Sequence, residues 1–343
     1  MRKDLRLGAT DGWVRMPDGS SHYIFGFVEI TGVPEKRIWS DRGKAELPGP
    51  LVDAGEGDDI YLTLTNLGLP QRPDLDDSHT IHWHGFPNQI PLYDGVPEVS
   101  ISVPVGRDFT YYFKPQDPGT YMYHCHFEPA EHIQMGMVGP VIVRPALERD
   151  PAYAGRKFAY DDPSTEYDRE YVVFLMELDP VGHDLVANVQ EYDWTDYRPK
   201  YWLLNGRAYP DTVEGESQQL PQQPWRTCIR ANVGERVLLR FINLGYEEHA
   251  MEILGIPVRI VGLDAQRLRG LGGEDLAAWR NVVPISPGQT VDALFTAPAP
   301  GQYPFYNRGY HKNVNAGAAP GGMIATVQVH RHGTLQPQRE PNR

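Results

Sequence analysis

Six of the 12 histidines fall between positions 79 and 132, in two runs, His79-Thr80-Ile81-His82-Trp83-His84-Gly85 and His124-Cys125-His126, the second followed by His132 and Met137. In an extended strand, side chains two apart share a face, so His82 and His84 point together, as do His124 and His126, while Cys125 points the other way. One face can then hold one metal centre and the opposite face a second. The spacing Cys-x6-His-x4-Met puts a thiolate, an imidazole and a thioether on one loop, and His79 on a neighbouring strand adds a second imidazole. Two His, one Cys and a weak axial Met form the trigonal donor set of blue copper electron-transfer sites. Met135, two residues before Met137, is read as a flexible filler of core gaps.

The elements that would position these groups read as strands. With 34 Gly and 31 Pro in 343 residues, turn signals recur along the whole chain, which suits many short strands. The stretch from Val52 to Gly68 aligns without gaps on Ile229 to Gly245, both a turn followed by a strand of alternating faces and both ending Asn-Leu-Gly. Gly106 to Gly119 matches Gly288 to Gly301 in the same way. The chain is therefore expected to be all-β, with two similar domains in tandem: residues 1–147, a linker at 148–165, a second domain at 166–330 and a polar tail at 331–343. The second domain opens with the strand Tyr171–Glu177. The tail is expected to be mobile, and its His330-x-His332 pair, with no strand around it, is not read as a metal site.

Composition excludes several functions. A net charge of −13 with no Lys/Arg cluster argues against nucleic-acid and membrane-surface binding. No apolar run approaches the length of a membrane span, and the start Met1-Arg2-Lys3-Asp4-Leu5-Arg6 lacks the apolar stretch of an export signal. The chain holds 2 cysteines, and with Cys125 in a ligand position a disulfide framework is not expected; Cys228 is read as a small buried residue.

The two histidine runs resemble those of the multicopper oxidases, in particular the two-domain laccase-like members. His79-x-x-His82-x-His84-Gly85 is similar to the family's His-x-x-His-x-His-Gly, and His124-Cys125-His126 to its His-Cys-His signature. Asn205-Gly206-x-x-Tyr209-Pro210 resembles the start of the family's later domain. The resemblance implies two tandem cupredoxin-like Greek-key β-sandwich domains. It also implies a type 1 copper on His79, Cys125, His132 and Met137, with type 2 and type 3 coppers possible on His82, His84, His124 and His126. Asp94 and Glu128 match acidic residues that deliver protons near those coppers. A small-molecule or metal-ion electron donor, oxygen as acceptor, a homotrimer and a periplasmic or secreted location are implied in the same way, with no export signal in this chain.

The second domain departs from the pattern. Where histidines would complete a trinuclear cluster it reads His249-Ala250-Met251-Glu252-Ile253-Leu254-Gly255 and Tyr306-Asn307-Arg308. His249 is read as a hydrogen-bonded structural residue, and His311 as no ligand. This domain is expected to lack copper and to serve as scaffold and subunit contact. Three functions remain open: an oxidase passing electrons from type 1 copper through Cys125 to copper held by His124 and His126, a nitrite-reductase-like enzyme with type 1 and type 2 copper, and a blue-copper electron carrier or copper-binding protein without turnover.

Overall fold

Apolar side chains alternate along each strand of the N-terminal half, and that alternation builds two facing sheets. The computed structural model describes residues 1–87, 89–213 and 220–342. In the strand β4 (Asp59–Gly68), Ile60, Leu62 and Leu64 are buried while Tyr61 and Thr63 face outward. It lies in a sheet of order β2-β1-β4-β6, with β1 at Arg2–Arg15, β2 at Ser21–Glu29 and β6 at Asp108–Phe113. The facing sheet has order β3-β8-β7-β5, from β3 (Val52–Gly55), β5 (His82–His84), β7 (Gly119–His124) and β8 (Val138–Arg144), with helix α1 (Pro129–Met135) between β7 and β8. Successive strands cross between the sheets, as in a Greek key, and Phe25, Leu62, Trp83, Tyr121 and Cys125 share the core between them.

Two short strands, β9 (Lys157–Phe158) and β10 (Glu166–Tyr167), pair in the connecting stretch. The C-terminal half repeats the plan. One sheet joins β11 (Arg169–Leu178), β12 (Tyr201–Leu204), β14 (Arg236–Asn243), β16 (Val258–Leu263), β17 (Gln266–Arg267), β18 (Ala278–Arg280) and β20 (Thr290–Thr296); helix α2 (Pro180–Ala187) follows β11. The other joins β13 (Ile229–Asn232), β15 (His249–Ile253), β19 (Val282–Ile285), β21 (Gly301–Asn307) and β22 (Ile324–His330). The parallel pairs β1/β4 and β3/β8 recur as β11/β14 and β13/β22, so the sequence repeat is a repeat of pairing.

Every residue of β7 is buried because each of its faces is covered. Tyr121 and Tyr123 enter the first core, while Met122 packs with Phe174, Leu203 and Ile242 of the second half in a cluster that spans the domains. Polar groups close the same seam: Thr120 Oγ1 donates to Asp292 Oδ1 at 2.5 Å and accepts from Arg240 Nη1 at 2.9 Å, and Arg240 Nε donates to Glu170 at 2.5 Å.

The tail corrects the sequence expectation of mobility. Gln338 and Asn342 are buried, and their amide groups take the places of missing strand partners along β11: Glu170 N donates to Gln338 Oε1 at 2.7 Å and Val172 N to Asn342 Oδ1 at 2.8 Å. A polar composition is no sign of mobility when the polar groups satisfy an open sheet edge. His330 likewise ends a regular strand, β22, while His332 is exposed beyond it. Arg343 lies outside the described residues.

Candidate metal centres

Strand alternation at the end of β7 divides the histidines and the cysteine as their spacing predicts. His124 faces the domain seam, and the next residue, Cys125, turns into the first core, fully buried. His79 reaches it from the stretch before β5, held by reciprocal backbone hydrogen bonds with Val103, and His132 from α1. The Nδ1 atoms of His79 and His132 lie 4.0 and 3.3 Å from Cys125 Sγ. Bonds of about 2.0 Å to nitrogen and about 2.3 Å to sulfur at trigonal angles separate such donors by roughly 3.7 Å, so these atoms can share one ion.

The surroundings act differently on the two rings. Thr80 N donates to Sγ at 3.4 Å. Burial holds the His79 ring far below its usual pKa, in the uncharged form that binds metals. Burial pulls His132 the same way, but the charge of Cys125 and of Asp77 outweighs it and lifts His132 to about 10; a bound cation would reverse that balance. Met137 is fully buried in the same core cluster, and Cys125 N donates to its carbonyl at 3.0 Å, which brings the methionine alongside the cysteine. Met135 is buried there too, as a core residue.

On the opposite face, His82, His84 and His124 offer one nitrogen each within 4.8 Å of one another. β5 pairs with β7 so that His82 stands opposite His124. His82 Nδ1 donates to the Asp94 carbonyl at 2.8 Å and His124 Nδ1 to the Cys125 carbonyl at 2.9 Å, which leaves each Nε2 as a lone pair. His84 Nδ1 is 3.2 Å from His124 Nε2. Burial lowers the pKa of all three, which keeps them neutral. His126 stacks on His124 with ring centroids 5.7 Å apart and lies 5.1 Å from the His82 ring, beside the trio.

The two predicted carboxylates fare differently. Asp94 sits against His82, its Oδ1 3.5 Å from Nδ1, although its closer contact is the main-chain carbonyl. Glu128 is exposed at the start of α1, with a left-handed backbone (φ 45°), and among the described residues its side chain makes no hydrogen bond or ion pair. One acid escaped the sequence reading: Asp77, whose Oδ2 is 3.8 Å from His132 Nε2. Its place two residues before His79, a candidate ligand, was its sequence signal.

The second domain holds a matching constellation built of hydrogen bonds and ion pairs. Cys125 N donates to Met137 O and Met137 N to His132 O; in the second domain Asn307 N donates to Met323 O and Met323 N to Lys312 O. Asn307 thus stands for Cys125, Lys312 for His132, Met323 for Met137 and His249 for His79. His249 uses both nitrogens, donating from Nε2 to Glu177 at 2.6 Å and accepting from Asn307 Nδ2 at 3.0 Å. Lys312 Nζ pairs with Glu247 at 2.8 Å. On the outer face, Glu252 accepts from Arg308 at 2.8 Å and from Tyr306 at 3.2 Å, while Leu254 is exposed. His311 lies edge-on to Trp202.

A pair of Greek-key sandwiches with His, Cys and His converging on one point in the first defines a cupredoxin-type protein. Residues 28–148 match the sequence model of the multicopper oxidases and form a multicopper-oxidase domain. It is 30% identical over 281 residues to copper resistance protein A of Pseudomonas syringae pv. tomato, covering 70% of this chain and 40% of that protein. Laccase-3 of Arabidopsis thaliana is 27% identical over 330 residues, 90% of this chain and 49% of the laccase. The chain thus spans about half the length of these curated relatives or less. In fold it is similar to the blue copper oxidase of Nitrosomonas europaea, with TM-score 0.73, 23% identity and coverage of 96% of this chain and 86% of that one. The copper nitrite reductase of the same organism has TM-score 0.67 at 21% identity, covering 100% and 99%.

Proposed function

We infer that this chain is a copper-dependent oxidoreductase that takes single electrons from a small-molecule or metal-ion donor at a type 1 copper and delivers them to oxygen. The observation that carries this reading is the convergence of His79 Nδ1, His132 Nδ1 and Cys125 Sγ in a fully buried site. Copper bound there supplies reversible one-electron redox chemistry. His79, Cys125 and His132 would hold the copper, and Met137, buried in the same core, would offer a thioether beside them. The main chain of Cys125 runs directly into His124 and His126, and these with His82 and His84 offer the acceptor side its ligands. Asp94 keeps the His82 ring oriented and, half-exposed, can pass protons toward that face. Glu128, by its exposure, has no part in this reading.

The missing second-domain histidines bear on the acceptor side alone. Glu252 and Arg308 neutralise each other where ligands would stand, so the first domain's own four histidines carry the acceptor copper. The chain works as a homotrimer outside the cytoplasm, as the resemblance implies. Among the described residues no helix is long and apolar enough to cross a membrane. Copper counting on the loaded protein tests the reading: more than one copper per chain with oxygen uptake on adding a reductant is expected. One blue copper without oxygen uptake would make the chain an electron carrier, and two coppers with nitrite turnover a reductase.

A further inference from the structure

The chain carries a net charge of −13, yet one cavity at the edge of the second domain is walled by four arginines against one acid, Glu340. It has a volume of about 420 Å³ and lies between β11, the stretch entering β13 and the C-terminal tail. Arg169 comes from β11, Arg226 from just before β13, Arg230 from β13 itself and Arg339 from the tail. Tyr171, Cys228 and Leu335 supply the less polar part of the wall.

The tail side of this cavity is fixed in advance. Leu335 exchanges main-chain to side-chain hydrogen bonds with Asn232 at 2.9 and 3.1 Å. Arg169 Nη2 donates to the Gln336 carbonyl at 2.8 Å, and Asn342 Nδ2 to the Arg226 carbonyl at 2.6 Å. With Gln338 held on the main chain of Glu170, the segment carrying Arg339 is anchored on both sides. A wall ordered beforehand lowers the cost of binding.

The charges around the cavity do not cancel. Buried Arg169 is matched by Glu235. Arg230 and Arg339 are exposed, and among the described residues neither guanidinium has a hydrogen bond or ion pair. Their field reaches His330 at the end of β22, whose pKa is lowered by burial and further by the charges of Arg230 and Arg169.

We propose that this cavity binds a small organic polyanion, its carboxylate or phosphate groups seated on Arg230 and Arg339 and its body against Tyr171 and Leu335. Guanidinium forks match both oxyanions with paired hydrogen bonds. The volume falls within the roughly 300–1,000 Å³ usual for small-molecule sites, more than one inorganic anion fills. A bound polyanion bridges β13 to the tail and so locks the tail in place. The site uses none of the candidate copper ligands, so it stands or falls separately from the copper reading.

The copper-loaded full chain is titrated by calorimetry with succinate, glycerol phosphate, inorganic phosphate and neutral succinamide. Saturable uptake of succinate or glycerol phosphate at one site per chain is expected, weakened by added salt and absent for succinamide. The tighter of the two tells a carboxylate ligand from a phosphate ester. Arg230→Gln combined with Arg339→Gln should weaken binding at least about ten-fold, and Arg230→Lys, which loses the fork, should weaken it too. Both side chains are exposed and unpaired, so the melting temperature without added anion should not move. The bound anion should also slow alkylation of Cys228 by iodoacetamide, read by peptide mapping, and hydrogen exchange across residues 335–342. No saturable uptake of either organic anion, inorganic phosphate binding as tightly as both, or binding unchanged in the double variant would overturn the assignment.

Discussion

Which nitrogen of a ring is free to face an ion is fixed here by what that ring does with its other nitrogen. His82 and His124 each give Nδ1–H to a main-chain carbonyl, so the strand that positions the ring also sets its tautomer. The pairing of spacing with alternation made this face, and the opposite turn of Cys125, readable from sequence. The partner atoms were not readable, because carbonyl positions depend on how β5, β7 and the Asp94 turn meet in space. Asp77 shows the same limit, since its significance comes from a ring 55 positions away, as the numbering of Asp77 and His132 gives. At this scale Met137→Leu is the informative change. The swap nearly conserves volume and should cost less than about 1.5 kcal/mol. Losing a sulfur donor that favours the higher oxidation state should raise the reduction potential while the blue band persists. An unchanged potential by redox titration would remove the thioether from the site.

At the scale of elements, corresponding strands of the two domains were matched by the repeat, but the equivalence of His132 with Lys312 and of Met137 with Met323 was hidden. The loop from Asn307 to Met323 is longer than that from Cys125 to Met137, so no gapless register connects them. In the second domain, hydrogen bonds stand where the first domain's candidate ligands converge: His249 lies between Glu177 and Asn307, with both side chains of the His249–Glu177 pair fully buried. His249→Ala should therefore lower stability by about 3 kcal/mol, by stranding a buried carboxylate, and leave the copper content unchanged; loss of copper would mean that the second domain holds metal after all. Helix α2 carries a pH dependence. Burial depresses His183, whose Nδ1 donates to the Tyr23 carbonyl at 2.6 Å, to about 4. A base whose folded pKa lies below its unfolded value of about 6.5 contributes stability above that value and loses it as pH falls toward 4. Hydrogen exchange along α2 should thus quicken between pH 6.5 and 4 by up to ~3 kcal/mol of local stability, and His183→Gln should flatten the change.

Across the whole molecule, the seam between the domains was the least legible feature. Glu170, Arg240, Asp292 and Thr120 come from four strands in both halves, and nothing in their spacing announces that they meet. Burial pushes the Glu170 carboxyl up, yet Arg144 and Arg240 outweigh it and hold it at about 2. Because this folded value lies below the unfolded one of about 4.3, its contribution is complete above that pH and is lost as pH falls toward 2. Acid unfolding followed by circular dichroism should steepen in that window, and Glu170→Gln should shift the midpoint upward by leaving buried Arg240 with Asp292, 3.6 Å away, as its remaining counter-charge in the seam and Arg144 without its buried partner. The all-β architecture, by contrast, needed no long-range information, since it follows from local pattern. The central claim is that Cys125, His79 and His132 hold one copper as a blue centre. Its most direct measurement is the visible spectrum of the copper-loaded chain beside that of Cys125→Ser, with copper quantified in both. An intense blue band that vanishes with the thiolate is the predicted result; colour that survives the substitution, or none in the unmodified protein at full copper loading, would contradict it.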